Sequence, residues 1–186
     1  MFAVTARLLL RPGWMEDAPA VQKAIADEAV VRSLASVPWP YALADAEAFL
    51  ARDRDPLEPS LLILLRCARG DPELIGGIGI GRRSEGGLEL GYWLARAHWG
   101  RGYATEAGLA VIAGARDSLR LERLVSGHFL DNPASGRVLE KLGFRPTGAT
   151  AVRYSAGRRA EVACRELVLD LGSAGAEAEP CSAAGA

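Results

Sequence analysis

Polar and apolar residues alternate with two different periods along the chain, and each period predicts a different kind of element. Alternation at every second residue, or a short apolar run, indicates a strand. A repeat every three to four residues indicates the apolar face of a helix. On this basis the sequence predicts strands at residues 4–11, 61–66, 73–82, 88–94, 123–129, 150–154 and 161–170.

Helices are predicted between several of these strands. The first begins at Asp17, a good helix cap, and it tolerates Pro19 because the first turn needs no backbone donor. Its apolar stripe contains Val21 and Ile25. Further helices are predicted at residues 43–52, 104–118 and 132–142.

The order of these elements predicts one α+β domain. Turn residues at 70–72 and 84–87 join three consecutive strands into an antiparallel meander, and a strand–helix–strand crossover follows. We expect a mixed, mostly antiparallel twisted sheet of about six to seven strands, flanked by about four helices, over residues 1–171. Residues 172–186 are mostly Ala, Gly, Ser, Glu and Pro, and we expect a disordered tail because they cannot bury enough apolar surface.

Composition excludes several classes of function. The chain has 186 residues and a net charge of −1, so no long-range attraction to nucleic acid is expected. Cys67, Cys164 and Cys181 lack the spacing of metal ligands, and their odd number argues against a disulfide framework. His98 and His128 are far apart in sequence and have no neighbouring Cys, so no metal site is predicted.

Nothing in the sequence predicts a membrane segment. The longest apolar run, residues 61–65, is far too short to span a bilayer. The short apolar run between Arg7 and Arg11 is not followed by a small-residue cleavage site. We therefore expect a cytoplasmic protein without membrane partners.

The segment at residues 99–107 carries the clearest candidate chemistry. It joins a strand to a helix through Gly100 and Gly102, and glycine lets successive N–H groups form a concave nest. The helix that follows adds free N–H groups and the positive end of its dipole. Such a turn suits a pyrophosphate, with Arg96 and Arg101 adding charge at the rim. The two glycines alone are also typical of an ordinary tight turn.

Two other interpretations of the glycines are less consistent with the pattern. A dinucleotide-binding unit requires G-x-G-x-x-G in a parallel unit, whereas the preceding strands form a meander. Gly77, Gly79 and Gly81 lie on one face of a predicted strand and do not open a helix. We expect a neighbouring element, rather than a substrate, to approach that face closely.

Three separated segments resemble, in the right order, the GNAT superfamily of N-acetyltransferases. The segment at residues 91–107 resembles the family's acetyl-CoA motif. The other segments resemble the branch that contains the Rim-type ribosomal-protein alanine N-acetyltransferases, and they lie at residues 5–12 and 131–144.

The family motif is written Q/R-x-x-G-x-G/A. Its last two fixed positions correspond to Gly102 and Ala104, while its leading Gln or Arg corresponds to Trp99. This departure is common in the Rim-type branch. The resemblance covers roughly residues 4–170 and is more specific than any single motif.

The resemblance implies a coenzyme site at the end of the fourth strand of the family's sheet. In that family the pantetheine arm pairs with exposed backbone there, and a backbone N–H can hold the thioester oxygen. By this resemblance acetyl-CoA is bound by Tyr92, Trp93, Leu94, Trp99, Gly100, Arg101, Gly102, Tyr103, Ala104, Thr105 and Asn132.

Two residues are candidates for proton transfer. Ser135 matches the position from which the Rim-type branch offers a hydroxyl to the coenzyme sulfur, whose thiol has a pKa of about 8.5. Glu89, on the strand that leads into the site, is the candidate general base for the attacking amine. Both residues also have an interpretation without a catalytic role, because Ser135 is typical of a solvated helix surface and Glu89 of an exposed strand. Asn132, predicted to bind the coenzyme, is likewise a good helix cap.

The other polar and aromatic residues near these motifs have simpler interpretations. Trp39 and Tyr41 fall where the family builds its acceptor pocket, but we expect them to belong to the core. Glu106, in the first turn of its helix, complements the helix dipole.

The resemblance implies an enzyme that transfers the acetyl group of acetyl-CoA to a primary amine by direct attack in a ternary complex. The amine is a protein N-terminus or a small molecule. Two alternatives are an acyltransferase that uses another acyl donor and a non-catalytic acyl-CoA sensor. The pattern also leaves a homodimer open.

Overall fold

One central sheet organises the chain. The computed structural model describes residues 1–53, 55–67, 70–83 and 86–172. In these residues the strands β1 to β8 are Ala3–Val4, Leu8–Pro12, Ser60–Leu65, Glu73–Arg82, Leu88–Leu94, Arg123–Phe129, Arg145–Ser155 and Ala160–Asp170. The α-helices α1 to α5 are Ala18–Ile25, Glu28–Val31, Leu43–Leu50, Tyr103–Asp117 and Pro133–Lys141.

The strand order is β1-β2-β3-β4-β5-β6-β8-β7. Neighbouring strands are antiparallel, except that β5 and β6 are parallel. The predicted α+β class with a mixed, mostly antiparallel sheet is confirmed, although the described residues form eight strands and five α-helices rather than six to seven and four. Within the same ranges, no helix has the length and apolar character needed to cross a membrane.

The apolar run in β3 reflects burial on both faces of the sheet. Leu61 and Ile63 pack on one face into a core that includes α4. Leu62 and Leu64 pack on the other face, into a core that includes α1 and α3. Because successive side chains of a strand point to opposite faces, a strand covered on both sides is apolar throughout.

Some boundaries differ from the prediction, each for a local reason. The first strand is divided because Thr5 turns the chain and its Oγ1 accepts the N–H of Leu8 at 2.9 Å. The short helix α2 has too few residues to show a period. Strand β7 starts earlier than predicted. The prediction missed this start because the first six residues of the strand are exposed and show no alternation of polar and apolar side chains. Residues 84–85 of the predicted turn and residues 173–186 of the predicted tail lie outside the described residues.

Candidate functional site

Strands β5 and β6 separate in the middle of the sheet. Their pairing is limited to Glu89 and Val125, whereas β5 stays paired with β4 as far as Leu94. The N–H of Ala95 donates towards β4, and the backbone groups of a strand point alternately to its two sides. The backbone groups of Tyr92 and Leu94 therefore face the opening beside β6, beyond the last residue pair.

The turn between β5 and α4 opens towards a cavity. Gly100 and Gly102 have φ values of 74° and 80°, a conformation that residues with a Cβ rarely adopt. A Cβ on Gly100 would meet no atom within 4 Å, and one on Gly102 would meet only Arg7, at 3.6 Å. Gly102 precedes the first turn of α4, whose N–H groups have no partner inside the helix. These are the features that an anion-binding turn requires.

Arg7 holds the turn in place. Its guanidinium forms an ion pair with Glu106 at 2.6 Å, donates to the carbonyl of Arg101 at 3.1 Å and lies 4.5 Å from the centre of the Tyr103 ring. Thr5 donates its hydroxyl to the same carboxylate at 2.6 Å. Burial raises the pKa of Glu106, but the hydrogen bonds from Thr5 and Arg7 outweigh it and lower the pKa overall. Glu106 thus connects the turn to the bend between β1 and β2. This contact is additional to its predicted interaction with the dipole of α4.

A cavity of about 290 Å³ runs from the open edge of β5 to this turn, and we call it the coenzyme cavity. Arg101 is exposed and does not line it. The other residues predicted to bind the coenzyme all line it, namely Tyr92, Trp93, Leu94, Trp99, Gly100, Gly102, Tyr103, Ala104, Thr105 and Asn132.

Trp99 and Asn132 also have structural roles. The indole N–H of Trp99 donates to the carbonyl of Leu94 at 2.8 Å, so one acceptor on the open edge of β5 is already used. Asn132 caps α5 by accepting the N–H of Ser135 at 3.2 Å. The cap uses the carbonyl oxygen of the Asn132 side chain, and its NH₂ group is the part that can donate to a ligand.

A second cavity, of about 530 Å³, lies against the other face of β5, and we call it the acceptor cavity. It is lined by residues 33–38, by α1, α3 and the start of α5, and by parts of strands β3 to β8. Gly81 and Gly91 form an open part of its floor, because a Cβ on either would meet no atom within 4 Å.

Other predictions for this region have mixed outcomes. A Cβ on Gly77 would lie 2.6 Å from Trp93, and one on Gly79 would lie 2.7 Å from the carbonyl of Pro59. The predicted close approach of a neighbouring element is therefore confirmed for these two glycines and wrong for Gly81, which faces the acceptor cavity. Tyr41 is buried in the core with α1 and α3 and also lines the acceptor cavity.

The two cavities meet near the end of β5. Tyr92, Trp93 and Ser135 line both of them, together with Ser33 and Leu34. The Tyr92 hydroxyl lies 2.8 Å from Oγ of Ser135 and 3.0 Å from its carbonyl oxygen. Burial raises the pKa of Tyr92 to about 12, and the hydrogen bond with Ser135 acts in the opposite direction. Two hydroxyl groups thus lie in contact at the junction.

Glu89 lines the acceptor cavity, but arginines bind its carboxylate. Arg153 donates to it at 2.7 Å and Arg83 lies 3.5 Å away, while both arginines also contact Glu166. These cations stabilise the ionised carboxylate and oppose its protonation. The Cys164 thiol lines the same cavity, and burial, followed by the charges of Glu89 and Glu166, raises its pKa to about 11.

The cavity linings include residues that were not predicted from the sequence, among them His128, Arg137 and Lys141. Nδ1 of His128, in the acceptor cavity, lies 2.9 Å from the carbonyl oxygen of Phe129. A carbonyl only accepts, so in the neutral ring Nδ1 carries the hydrogen and Nε2 is the nitrogen that accepts a proton. Arg137 and Lys141 line the coenzyme cavity. Their spacing of four residues on a predicted helix was an available signal.

Comparison with known proteins agrees with this geometry. The model of the acetyltransferase (GNAT) domain family matches residues 7–145. A curated relative, the probable N-acetyltransferase YjcK of Bacillus subtilis, is 40% identical over 81 residues, which are 42% of this chain and 45% of that protein. The chain thus spans less than half the length of that relative.

Solved structures share the fold over most of the chain. A GNAT-family acetyltransferase from Bacillus anthracis has a TM-score of 0.76 and 22% identity, covering 92% of this chain and 99% of its own. RimJ of Mycobacterium smegmatis, solved in complex with CoA-disulfide, has a TM-score of 0.72 and 22% identity, covering 88% of this chain and 81% of its own.

Proposed function

Because the chain belongs to the GNAT acetyltransferase family, we propose that it transfers the acetyl group of acetyl-CoA to a primary amine. The amine attacks the thioester directly while both substrates are bound. The acceptor is a protein N-terminus or a small-molecule amine.

The observation that supports direct transfer best is the meeting of the two cavities at Tyr92, Trp93 and Ser135. A thioester placed at this junction can be reached by a nucleophile from the acceptor cavity without first leaving the coenzyme cavity. Proximity of this kind removes much of the entropic barrier to a reaction between two molecules.

On the coenzyme side, the protein supplies mainly backbone groups. Acetyl-CoA brings an activated acetyl thioester to the site. The turn at Gly100 and Gly102, with the start of α4, holds the pyrophosphate. The open edge of β5 at Tyr92 and Leu94 supplies amide groups for the pantetheine arm and for the thioester oxygen. The hydroxyl of Ser135 donates a hydrogen bond to the sulfur as it leaves.

On the acceptor side, an ammonium group must lose a proton before it can attack. Nε2 of His128 is the proposed acceptor of that proton, since the carboxylate of Glu89 is bound by Arg153 at 2.7 Å and by Arg83. In this proposal Glu89 contributes negative charge to the acceptor cavity. His128 replaces Glu89, the residue predicted from the sequence, as the candidate general base.

Calorimetric titration with acetyl-CoA, followed by an assay of free-thiol release over a panel of amines, tests the proposal. The resemblance of residues 5–12 and 131–144 to the Rim-type ribosomal-protein alanine N-acetyltransferases supports including peptides that begin with Ala or Ser, beside polyamines and aminoglycosides. We expect binding and acceptor-dependent thiol release. Absence of acetyl-CoA binding would rule the proposal out.

The same experiment separates the alternatives. Binding without turnover on any acceptor favours a non-catalytic acyl-CoA sensor. Faster thiol release with propionyl-CoA or a longer acyl-CoA favours another acyl donor. Mass spectrometry of the acceptor identifies the group that was transferred and the nitrogen that received it.

A further inference from the structure

The hydroxyl of Tyr92 is in direct contact with the residue that is proposed to meet the coenzyme sulfur. It lies 2.8 Å from Oγ and 3.0 Å from the carbonyl oxygen of Ser135. Tyr92 is on β5 and Ser135 is in the first turn of α5, so the contact bridges the opening where β5 and β6 separate.

The hydrogen atoms can be arranged in two ways. A carbonyl oxygen only accepts, so in the 3.0 Å contact the Tyr92 O–H is the donor. If that hydrogen is shared between both oxygens of Ser135, the Ser135 hydroxyl keeps its own hydrogen free. If instead Ser135 donates to the Tyr92 oxygen, its hydrogen is used within the protein and is not available to a ligand.

An anion that forms in the coenzyme cavity favours the first arrangement, because it attracts the hydrogen of the Ser135 hydroxyl. Burial raises the pKa of Tyr92 to about 12, so the phenol keeps its own hydrogen and can donate in either arrangement. A donor to Oγ increases the polarity of the Ser135 O–H, because hydrogen bonds in a chain strengthen one another. A leaving thiolate next to Ser135 would attract that polarised hydrogen.

From this contact, and resting on the proposed function, we propose that Tyr92 is a positioning residue that directs the Ser135 hydroxyl at the coenzyme sulfur. The nitrogen–carbon bond forms and the carbon–sulfur bond breaks, with the electron pair going to sulfur. The Ser135 hydroxyl stabilises that sulfur by a hydrogen bond. The proton that sulfur finally carries is the one that the attacking nitrogen loses, so neither hydroxyl is consumed.

A purely structural role for Tyr92 is the competing explanation, because its bond to the Ser135 carbonyl also fastens α5 to β5. The two explanations differ in one respect. A structural bond to the carbonyl persists when Ser135 is replaced by Ala, whereas a role exerted through Oγ disappears with that atom.

A double-mutant cycle uses this difference. We expect Tyr92→Phe to lower kcat about fivefold and Ser135→Ala to lower it about tenfold, the size of effect that the loss of one hydrogen bond produces, with acetyl-CoA affinity unchanged. The double variant should match Ser135→Ala, since Tyr92 acts through that residue. Tyr154→Phe, which removes an exposed phenol on β7, is the matched control and should behave as wild type.

A second measurement works without turnover. The ultraviolet absorbance of thiolate reports the ionisation of bound CoA, and we expect both single variants to raise the pKa of the bound thiol relative to wild type. Multiplicative losses in the double variant, with an unchanged thiol pKa in Tyr92→Phe, would overturn the role of Tyr92 while leaving acetyl transfer intact. Absence of CoA binding by the wild type would instead overturn the proposed function and this inference together.

Discussion

The two cavities on either side of β5 are built in opposite ways. Half of the residues that line the coenzyme cavity come from one stretch, residues 92–105, which offers its backbone: an open strand edge, a glycine turn and a helix start. The acceptor cavity gathers residues from α1, α3 and six strands, β3 to β8. In the proposed function, backbone geometry thus holds a coenzyme of constant shape, whereas side chains that only folding brings together select the acceptor.

Gly102→Asp tests the backbone half of this comparison and should have the largest effect. It places a carboxylate in the proposed pyrophosphate cradle and a Cβ at a φ of 80°. We expect acetyl-CoA to bind about 100-fold more weakly by calorimetry, equivalent to about 2.7 kcal/mol. Circular dichroism checks that the variant is folded.

Gly102→Asn is the matched control, because Asn has nearly the size of Asp, has no charge and tolerates the left-handed conformation better than most residues. We expect it to weaken binding only about tenfold, or about 1.4 kcal/mol. Equal losses in the two variants would attribute the effect to strain rather than to charge. Unchanged affinity in a folded Gly102→Asp protein would remove the anion site from this turn.

The role of side chains in the acceptor cavity is tested by changing the two candidate proton acceptors, His128 and Glu89. We expect His128→Asn to lower kcat/KM about 100-fold. Glu89→Gln should lower it only about tenfold, since Arg153 already binds the carboxylate as an ion. Neither change should alter acetyl-CoA affinity. The opposite pattern would return the general-base role to Glu89.

Arg7→Gln tests whether side chains also support the backbone cradle. Loss of the ion pair with Glu106 should weaken acetyl-CoA binding about fivefold and lower Tm. Hydrogen bonds lower the pKa of Glu106, so the stabilisation is present at neutral pH and is lost as pH falls through that lowered pKa. The Tm of the wild type should therefore approach that of the variant in acid. Arg116→Gln, which removes an exposed pair with Asp117, is the control and should change neither quantity.

Arg137→Gln and Lys141→Gln should have the smallest effects. Both residues are exposed on α5 and line the coenzyme cavity. Each change should weaken acetyl-CoA binding about two- to threefold at low salt, and the difference should vanish at high salt because exposed charges are screened. Lys23→Gln, on the exposed side of α1, serves as the control. A loss that persists at high salt would indicate a desolvated contact instead.

The same contrast explains what could be predicted from the sequence. Strands β4, β5 and β6 have the predicted boundaries because alternation and turn residues are local signals. The glycine turn was recognisable because its residues are contiguous. The contacts Arg7–Glu106, Tyr92–Ser135 and Glu89–Arg153 join residues 99, 43 and 64 positions apart. No local sequence pattern encodes such pairs. The junction of the two cavities and the binding of the Glu89 carboxylate by arginines could therefore be seen only in the structure.

The separation of β5 from β6 also has a mechanical consequence. In the described residues, one backbone pair, Glu89 with Val125, joins the half of the sheet that contains β1–β5 to the half that contains β6, β8 and β7. Side-chain contacts also cross between the halves, including Arg153 with Glu89, but the backbone pairing is confined to one end. A ligand whose amides pair with Tyr92 and Leu94 would extend that backbone pairing. Occupancy should slow amide hydrogen exchange on both sides of the gap and stiffen the whole sheet.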